Sequence, residues 1–154
     1  MRRFSIGLLL VCGCALGLSA AAATGGVLKV LPLFLDLEGR QALSPSLYER
    51  DAYQALLRRN PEKRSGLRFA VQWKAKGPAW EPLKLQVELR GAVEGEAPRQ
   101  RVLEKAVQPT TWLGRWTALE LKGEDYKTFG EVTAWRVTLW EGGQVLGEQK
   151  SFLW

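Results

Sequence analysis

Along most of this chain apolar and polar residues alternate one for one, the period of a strand with a single covered face. Leu83, Leu85, Val87 and Leu89 alternate with Lys84, Gln86, Glu88 and Arg90, and this is the clearest strand. Leu67, Phe69, Val71 and Trp73 alternate in the same way with Arg68, Ala70, Gln72 and Lys74. Leu31, Leu33, Leu35 and Leu37 share one face of a first strand predicted over 29–37. Pro32 within it suggests a sheet edge, because proline has no N–H to give a neighbouring strand. Weaker strands are predicted at 100–107 and 112–121, and 123–130 reads as a loop or a single helical turn. Residues 132–140 and 145–154 close the chain as a hairpin around Gly142-Gly143.

One segment departs from this period. Tyr48, Ala52, Tyr53, Leu56 and Leu57 recur at helical spacing, with Arg50, Asp51, Arg58 and Arg59 largely on the other side. Ser46 with Glu49 three residues on forms a capping box, and Pro61 stops the helix, which is predicted over 47–59. The following 62–66 reads as a solvated loop.

The closing hairpin has two possible registers, and chemistry chooses between them. A two-residue loop sets Trp135 opposite Lys150 and Val137 opposite Glu148, which brings charge onto the inner face. A three-residue loop ending in a bulge pairs Leu139 with Gly147, Val137 with Gln149, Trp135 with Ser151 and Thr133 with Leu153. The second keeps charge outside and is the expected one. It leaves Ala134, Trp140, Leu146, Phe152 and Trp154 on the outer face, around a polar centre of Arg136, Thr138, Glu148 and Lys150.

Seven short strands separated by turn signals predict a mostly β, single-domain antiparallel β-sandwich over 27–154, with one helix inserted after the first strand. The hairpin from Trp135 through Gly142-Gly143 to Glu148 resembles the last two strands of immunoglobulin-like and fibronectin-III-like domains. The resemblance implies a fold and no function. The inter-sheet cysteines of antibody domains are absent.

The first residues change the picture of where the domain works. Met1-Arg2-Arg3 is positive, 4–18 is nearly all apolar and 19–23 is small residues only, the order of a secretory signal peptide over 1–23. Ser19-Ala20-Ala21, Ala20-Ala21-Ala22 and Ala21-Ala22-Ala23 each offer small residues at −3 and −1, so a mature chain starts between Ala22 and Thr24. Val11-Cys12-Gly13-Cys14 partly matches a bacterial lipobox, which makes Cys14 the alternative, a lipidation site. An uncleaved anchor is the third route, since 4–23 approaches the ~20 residues that span a bilayer. The expected location is outside the cytoplasm, periplasmic or extracellular, with membrane contact only through the leader or a lipid on Cys14.

Composition then narrows the chemistry. The chain has a formal charge of +6 and no histidine, and both cysteines lie in the leader. That removes Ser-His-Asp catalysis, Cys-His catalysis and the usual zinc sites from the mature domain. Loss of Arg2 and Arg3 with the leader brings the charge to +4, with lysines and arginines interspersed among glutamates. No basic stripe marks nucleic-acid binding. Carboxylates are the remaining acid–base option, but Glu94 with Glu96 and Glu124 with Asp125 lie in turns, where such groups are solvated. The expectation is no enzyme, no cofactor and no metal.

Seven tryptophans are many for 154 residues, and they supply the candidate binding surface. Trp80 stands in a proline-flanked loop, either exposed for stacking on sugar or folded back as a plug. Trp112 and Trp116 flank Leu113-Gly114-Arg115 and form either an aromatic platform or core. Trp140, Phe152 and Trp154, with Leu146, form an outer patch that either meets a partner or lies under the helix. Arg58, Arg59, Lys63 and Arg64 surround a helix end, where cations complement its dipole or hold an anion. Two functions follow: a non-enzymatic module binding an envelope or extracellular protein, or a polysaccharide-binding module using the tryptophans.

Overall fold

A computed structural model describes residues 23–77, 81–93, 95, 97–109 and 113–154. The strands are β1 (Thr24–Asp36), β2 (Arg64–Lys76), β3 (Leu83–Ala92), β4 (Arg99–Val107), β5 (Arg115–Lys122), β6 (Glu131–Glu141) and β7 (Gln144–Lys150). The helices are α1 (Leu47–Arg59), with the bounds its pattern predicts, and α2 (Glu124–Phe129). Two antiparallel sheets pack face to face, one in the order β1-β2-β5 and the other β4-β3-β6-β7. β1 is a sheet edge, as Pro32 suggests.

The core forms where the alternating apolar faces meet. Phe69, Val71 and Trp73 of β2, Leu85 and Val87 of β3, Leu121 of β5 and Val137 and Leu139 of β6 share one buried cluster. The Phe69 and Trp135 rings meet edge to face with centroids 6.3 Å apart, a favoured aromatic geometry. The hairpin adopts the expected pairing, with Leu139 opposite Gly147 and Val137 opposite Gln149, but not through the expected three-residue loop. A bulge at Leu146 shifts the register instead, and Glu141 pairs with Gln144 across the two-residue loop Gly142-Gly143. Gly142 supplies the left-handed position of that loop with φ 53°.

The leucine stripe of β1 corrects a simple inside–outside reading. Val30, Pro32 and Phe34 stand opposite Val71, Phe69 and Leu67, and on this face Val30 and Phe34 pack against the core while Pro32 stays exposed. Leu33 and Leu35 stand opposite Arg68 and Gly66, on the outer face, yet both are buried. Helix α1 lies against β1 on that side and brings fully buried Leu57. Leu37 lies beyond the strand and is exposed. β1 is thus apolar on both faces, one for the sandwich and one for the helix.

α1 is rotated from its expected setting. Gln54 and Leu57 are its buried residues, whereas Tyr48, Ala52 and Leu56 are exposed. Gln54 acts as a short substitute strand: its Oε1 accepts from the Phe34 amide at 2.8 Å, and its Nε2 donates to the Phe34 carbonyl at 3.0 Å. Edge-strand groups are satisfied in this way without inviting another chain. At the helix start the capping box is only half formed. Ser46 Oγ accepts from the Glu49 amide at 3.4 Å, but the Glu49 carboxylate accepts from the Ser44 hydroxyl instead of returning to Ser46.

Two further expectations are corrected. The stretch 62–66 is not a solvated loop, because a 3₁₀ turn (Pro61–Lys63) leads straight into β2 and Gly66 is buried. β7 ends at Lys150 and the chain then turns, so Thr133 does not pair with Leu153.

The open edges of the two sheets touch through backbone. A Cβ on Gly147 of β7 would stand 2.7 Å from Gly26 Cα of β1. Gly147→Val therefore forces the seam apart, and denaturant titration is expected to register a loss of about 1–3 kcal/mol, the usual cost of overpacking.

Candidate functional site

The C-terminal turn is built outward from β6. The Ser151 amide donates to the Trp135 carbonyl at 2.9 Å, and Ser151 Oγ accepts from the Trp135 amide at 3.0 Å. A side chain thus extends the ladder past the end of β7. The Trp154 amide then donates to the Ser151 carbonyl at 3.2 Å, closing a turn. This folds Trp154 back over the outer face, where the Arg90 and Arg136 guanidinium carbons lie 4.1 Å and 4.9 Å from its ring centroid. Both distances are within cation–π range. Arg136 is itself fixed by Glu88, whose Oε1 and Oε2 each accept from Nη2 at 2.8 Å.

The clamp on Trp154 leaves its neighbours outside. Phe152 is 100% exposed and Leu153 69% exposed. Neither is a floppy tail residue, since Ser151 and Trp154 hold the turn from both ends. Two large apolar side chains are presented to solvent on a hydrogen-bonded scaffold, an arrangement that reduces the ordering cost of binding.

A groove adjoins this turn where the sandwich edge opens. It has a volume of about 270 Å³, with Pro32, Phe34, Leu67 and Trp135 as apolar lining and Arg58, Arg64, Tyr126 and Ser151 among its polar groups. It continues into a shallower depression that shares Arg58, Arg64, Tyr126 and Glu131 and adds Pro61 and Lys127. Arg64 is committed to structure. Its Nε donates to the Leu57 carbonyl at 2.5 Å, its Nη2 donates to the Arg58 carbonyl, and its guanidinium lies 4.0 Å from the Phe34 ring centroid. This is the favourable role of a cation at a helix C-terminus. Arg58 is exposed and forms no ion pair among the described residues, so its charge is available to a ligand.

The Asp36 centre is a different kind of cluster. Its carboxylate accepts from the Tyr53 hydroxyl at 2.6 Å, the Arg40 amide at 2.8 Å, Arg40 Nε at 2.8 Å and the Glu38 amide at 3.0 Å. Burial alone would raise its pKa. The Tyr53 hydroxyl and the Arg40 amide and side chain outweigh that and lower it to about 2. Tyr53 moves the opposite way, raised first by the same hydrogen bond and then by burial. The two groups are driven away from neutrality, which suits a structural lock and not proton transfer near pH 7.

The structure scatters the candidates read from sequence. Trp80, Trp112 and Cys14 lie outside the described residues, as do Glu94 and Glu96. Trp116 is on edge strand β5 and is 48% exposed, lining a cleft of about 330 Å³ with Lys105, Gln108 and Arg115. Trp140 is half-buried, opposite Lys84 and Val145, and its indole N–H finds no acceptor among the described residues. Leu146 is not on the outer patch, because the bulge beside Trp140 turns it toward the core. The helix does not cover that patch, since α1 packs on β1. Glu124 and Asp125 are engaged in exposed ion pairs with Lys127 and Arg101. Among the described residues no three Asp, Glu, His or Cys side chains group as a metal site.

The groove has no signature in the sequence. Pro32 and Phe34 share one face of β1, but Tyr126, Trp135 and Ser151 come from distant elements, and no spacing unites them with that pair. Only the cationic rim was visible, as the run from Arg58 to Arg64.

No protein-family model matches this chain, and neither the curated proteins nor the solved structures compared with it contain a match.

Proposed function

We propose that this is an exported, non-enzymatic β-sandwich of the immunoglobulin-like type that binds another protein of the envelope or extracellular space. The strand order β1-β2-β5 against β4-β3-β6-β7 supports the immunoglobulin-like assignment. The binding assignment is carried by the fully exposed Phe152, presented on a turn fixed by Ser151 and by Trp154 between two arginines. Aromatic anchors beside arginines are the usual composition of an interface centre.

The test is a photo-crosslinking amino acid at position 152 in the native host, compared with one at Lys122 on the opposite sheet. A discrete adduct from position 152 alone, lost on Leu153→Asp, is the expected result. Adducts of equal yield from both positions would refute this face as the contact surface.

A second reading takes Trp116 as a polysaccharide platform, favoured by its half-exposed ring beside a polar cleft. Fluorescence titration with soluble polysaccharides and peptidoglycan fragments separates the two readings. A saturable shift abolished by Trp116→Ala would put carbohydrate first.

A further inference from the structure

Ala23, immediately before β1, is 4% exposed. Its N–H donates to Glu141 Oε2 at 3.0 Å across 118 positions of sequence. Glu141 ends β6 in the other sheet and is 6% exposed. A carboxylate this deep is costly unless strong donors face it. An ammonium is a stronger donor to a carboxylate than an amide is. The sequence supplies the means of making one there, because Ala20 and Ala22 are the small −3 and −1 residues for a cut between Ala22 and Ala23. A cut after Ala21 leaves an amide at position 23. A cut after Ala23 removes the residue that reaches Glu141.

We propose that the chain is processed between Ala22 and Ala23, and that the new α-ammonium of Ala23 forms a buried ion pair with Glu141 that fastens the two sheets together. The inference rests on the exported reading above. Hydrolysis adds one water across the Ala22–Ala23 peptide bond, leaving a carboxylate on Ala22 and an ammonium on Ala23. The cut is made on the unfolded chain during export, so the burial of Ala23 in the finished fold does not obstruct the peptidase. Folding then carries the ammonium to Glu141.

The experiment expresses the full-length chain in an exporting bacterial host and measures the intact mass and N-terminal sequence of the product. A start at Ala23 is expected. A start at Ala22 or Thr24, or a lipid-bearing Cys14, overturns the processing site while leaving export in place. An uncleaved chain retained in the cytoplasm overturns export itself, and the inference with it. The ion pair is then read on the exported product with an aldehyde reagent selective for α-amines. A carboxylate that raises the amine's pKa by about one unit cuts its reactive neutral fraction about ten-fold. Glu141→Gln is therefore expected to speed labelling by about that factor with the circular dichroism spectrum unchanged. Should Glu141→Gln fail to fold, Glu141→Asp, one methylene shorter, is expected to label at an intermediate rate. Labelling as fast in the natural protein as in the variant overturns the pair.

Discussion

Trp73→Ala is expected to destabilise the domain by about 3–5 kcal/mol, the range for deleting a fully buried aromatic side chain. Trp73 is 0% exposed, and its Nε1 donates to Thr117 Oγ1 at 2.9 Å, so the indole both fills the space between the sheets and ties β2 to β5. Truncation removes the apolar contacts and leaves the Thr117 hydroxyl without that donor. A domain of this size has about 5–15 kcal/mol of net stability, so much of the margin goes. The melting temperature should fall by about 10–20 °C. Trp73→Phe keeps most of the volume and loses the hydrogen bond, and is expected to cost about 1 kcal/mol beyond the change in packing. Equal losses in the two variants would mean that the hydrogen bond, and not the ring volume, carries the site.

Asp36→Asn is the second large effect, and it comes with a pH signature. The variant weakens the charge-assisted bonds from Tyr53 and Arg40 and is expected to cost about 2–3 kcal/mol at neutral pH. In the folded protein the Asp36 pKa lies at about 2, below its ordinary value of 3.8. The folded state therefore holds the proton more weakly than the unfolded chain. The stabilisation is full above about pH 4 and disappears as pH falls through about 2. Urea titrations from pH 7 down to 2 should show the natural protein losing its advantage over Asp36→Asn across that window. A constant difference at every pH would show that the carboxylate charge is not what holds α1 to the end of β1. Tyr53→Phe should reproduce part of the same pH dependence, because its hydroxyl is the leading opponent of burial.

These two positions also divide what pattern can reveal. Trp73 was legible, since it falls in phase with Leu67, Phe69 and Val71, and a period of two assigns the whole set to one face. Asp36 was not, since an acidic residue at a strand end is ordinarily solvated. It is buried because Tyr53, 17 residues on, reaches it from a helix whose orientation the helical spacing alone does not fix. The same limit explains the error over α1. The pattern gave a helix of the right length, but Tyr48 and Leu56 look no less apolar than Leu57. Only the approach of Gln54 to the Phe34 backbone decides which side turns inward.

The candidate surface follows that division. The hairpin register was readable because the alternative would bury Lys150 and Glu148, a penalty written into the sequence. The exposure of Phe152 was not, because it depends on Trp154 turning back onto Arg90 and Arg136 from strands far apart in the chain.

By itself the sequence determined the periods, and hence the number and order of the strands though not all their bounds, the helix bounds, the edge position of β1 and the central pairing of the last hairpin. Each of these rests on local backbone geometry and the cost of burying charge. The tertiary structure alone decided the layers: that Leu33 and Leu35 serve the helix and not the sandwich, that a groove opens between β1 and β6, and that Ala23 meets Glu141. Periodicity records that a face is covered, but what covers it is set by free energy shared among residues that only folding brings together.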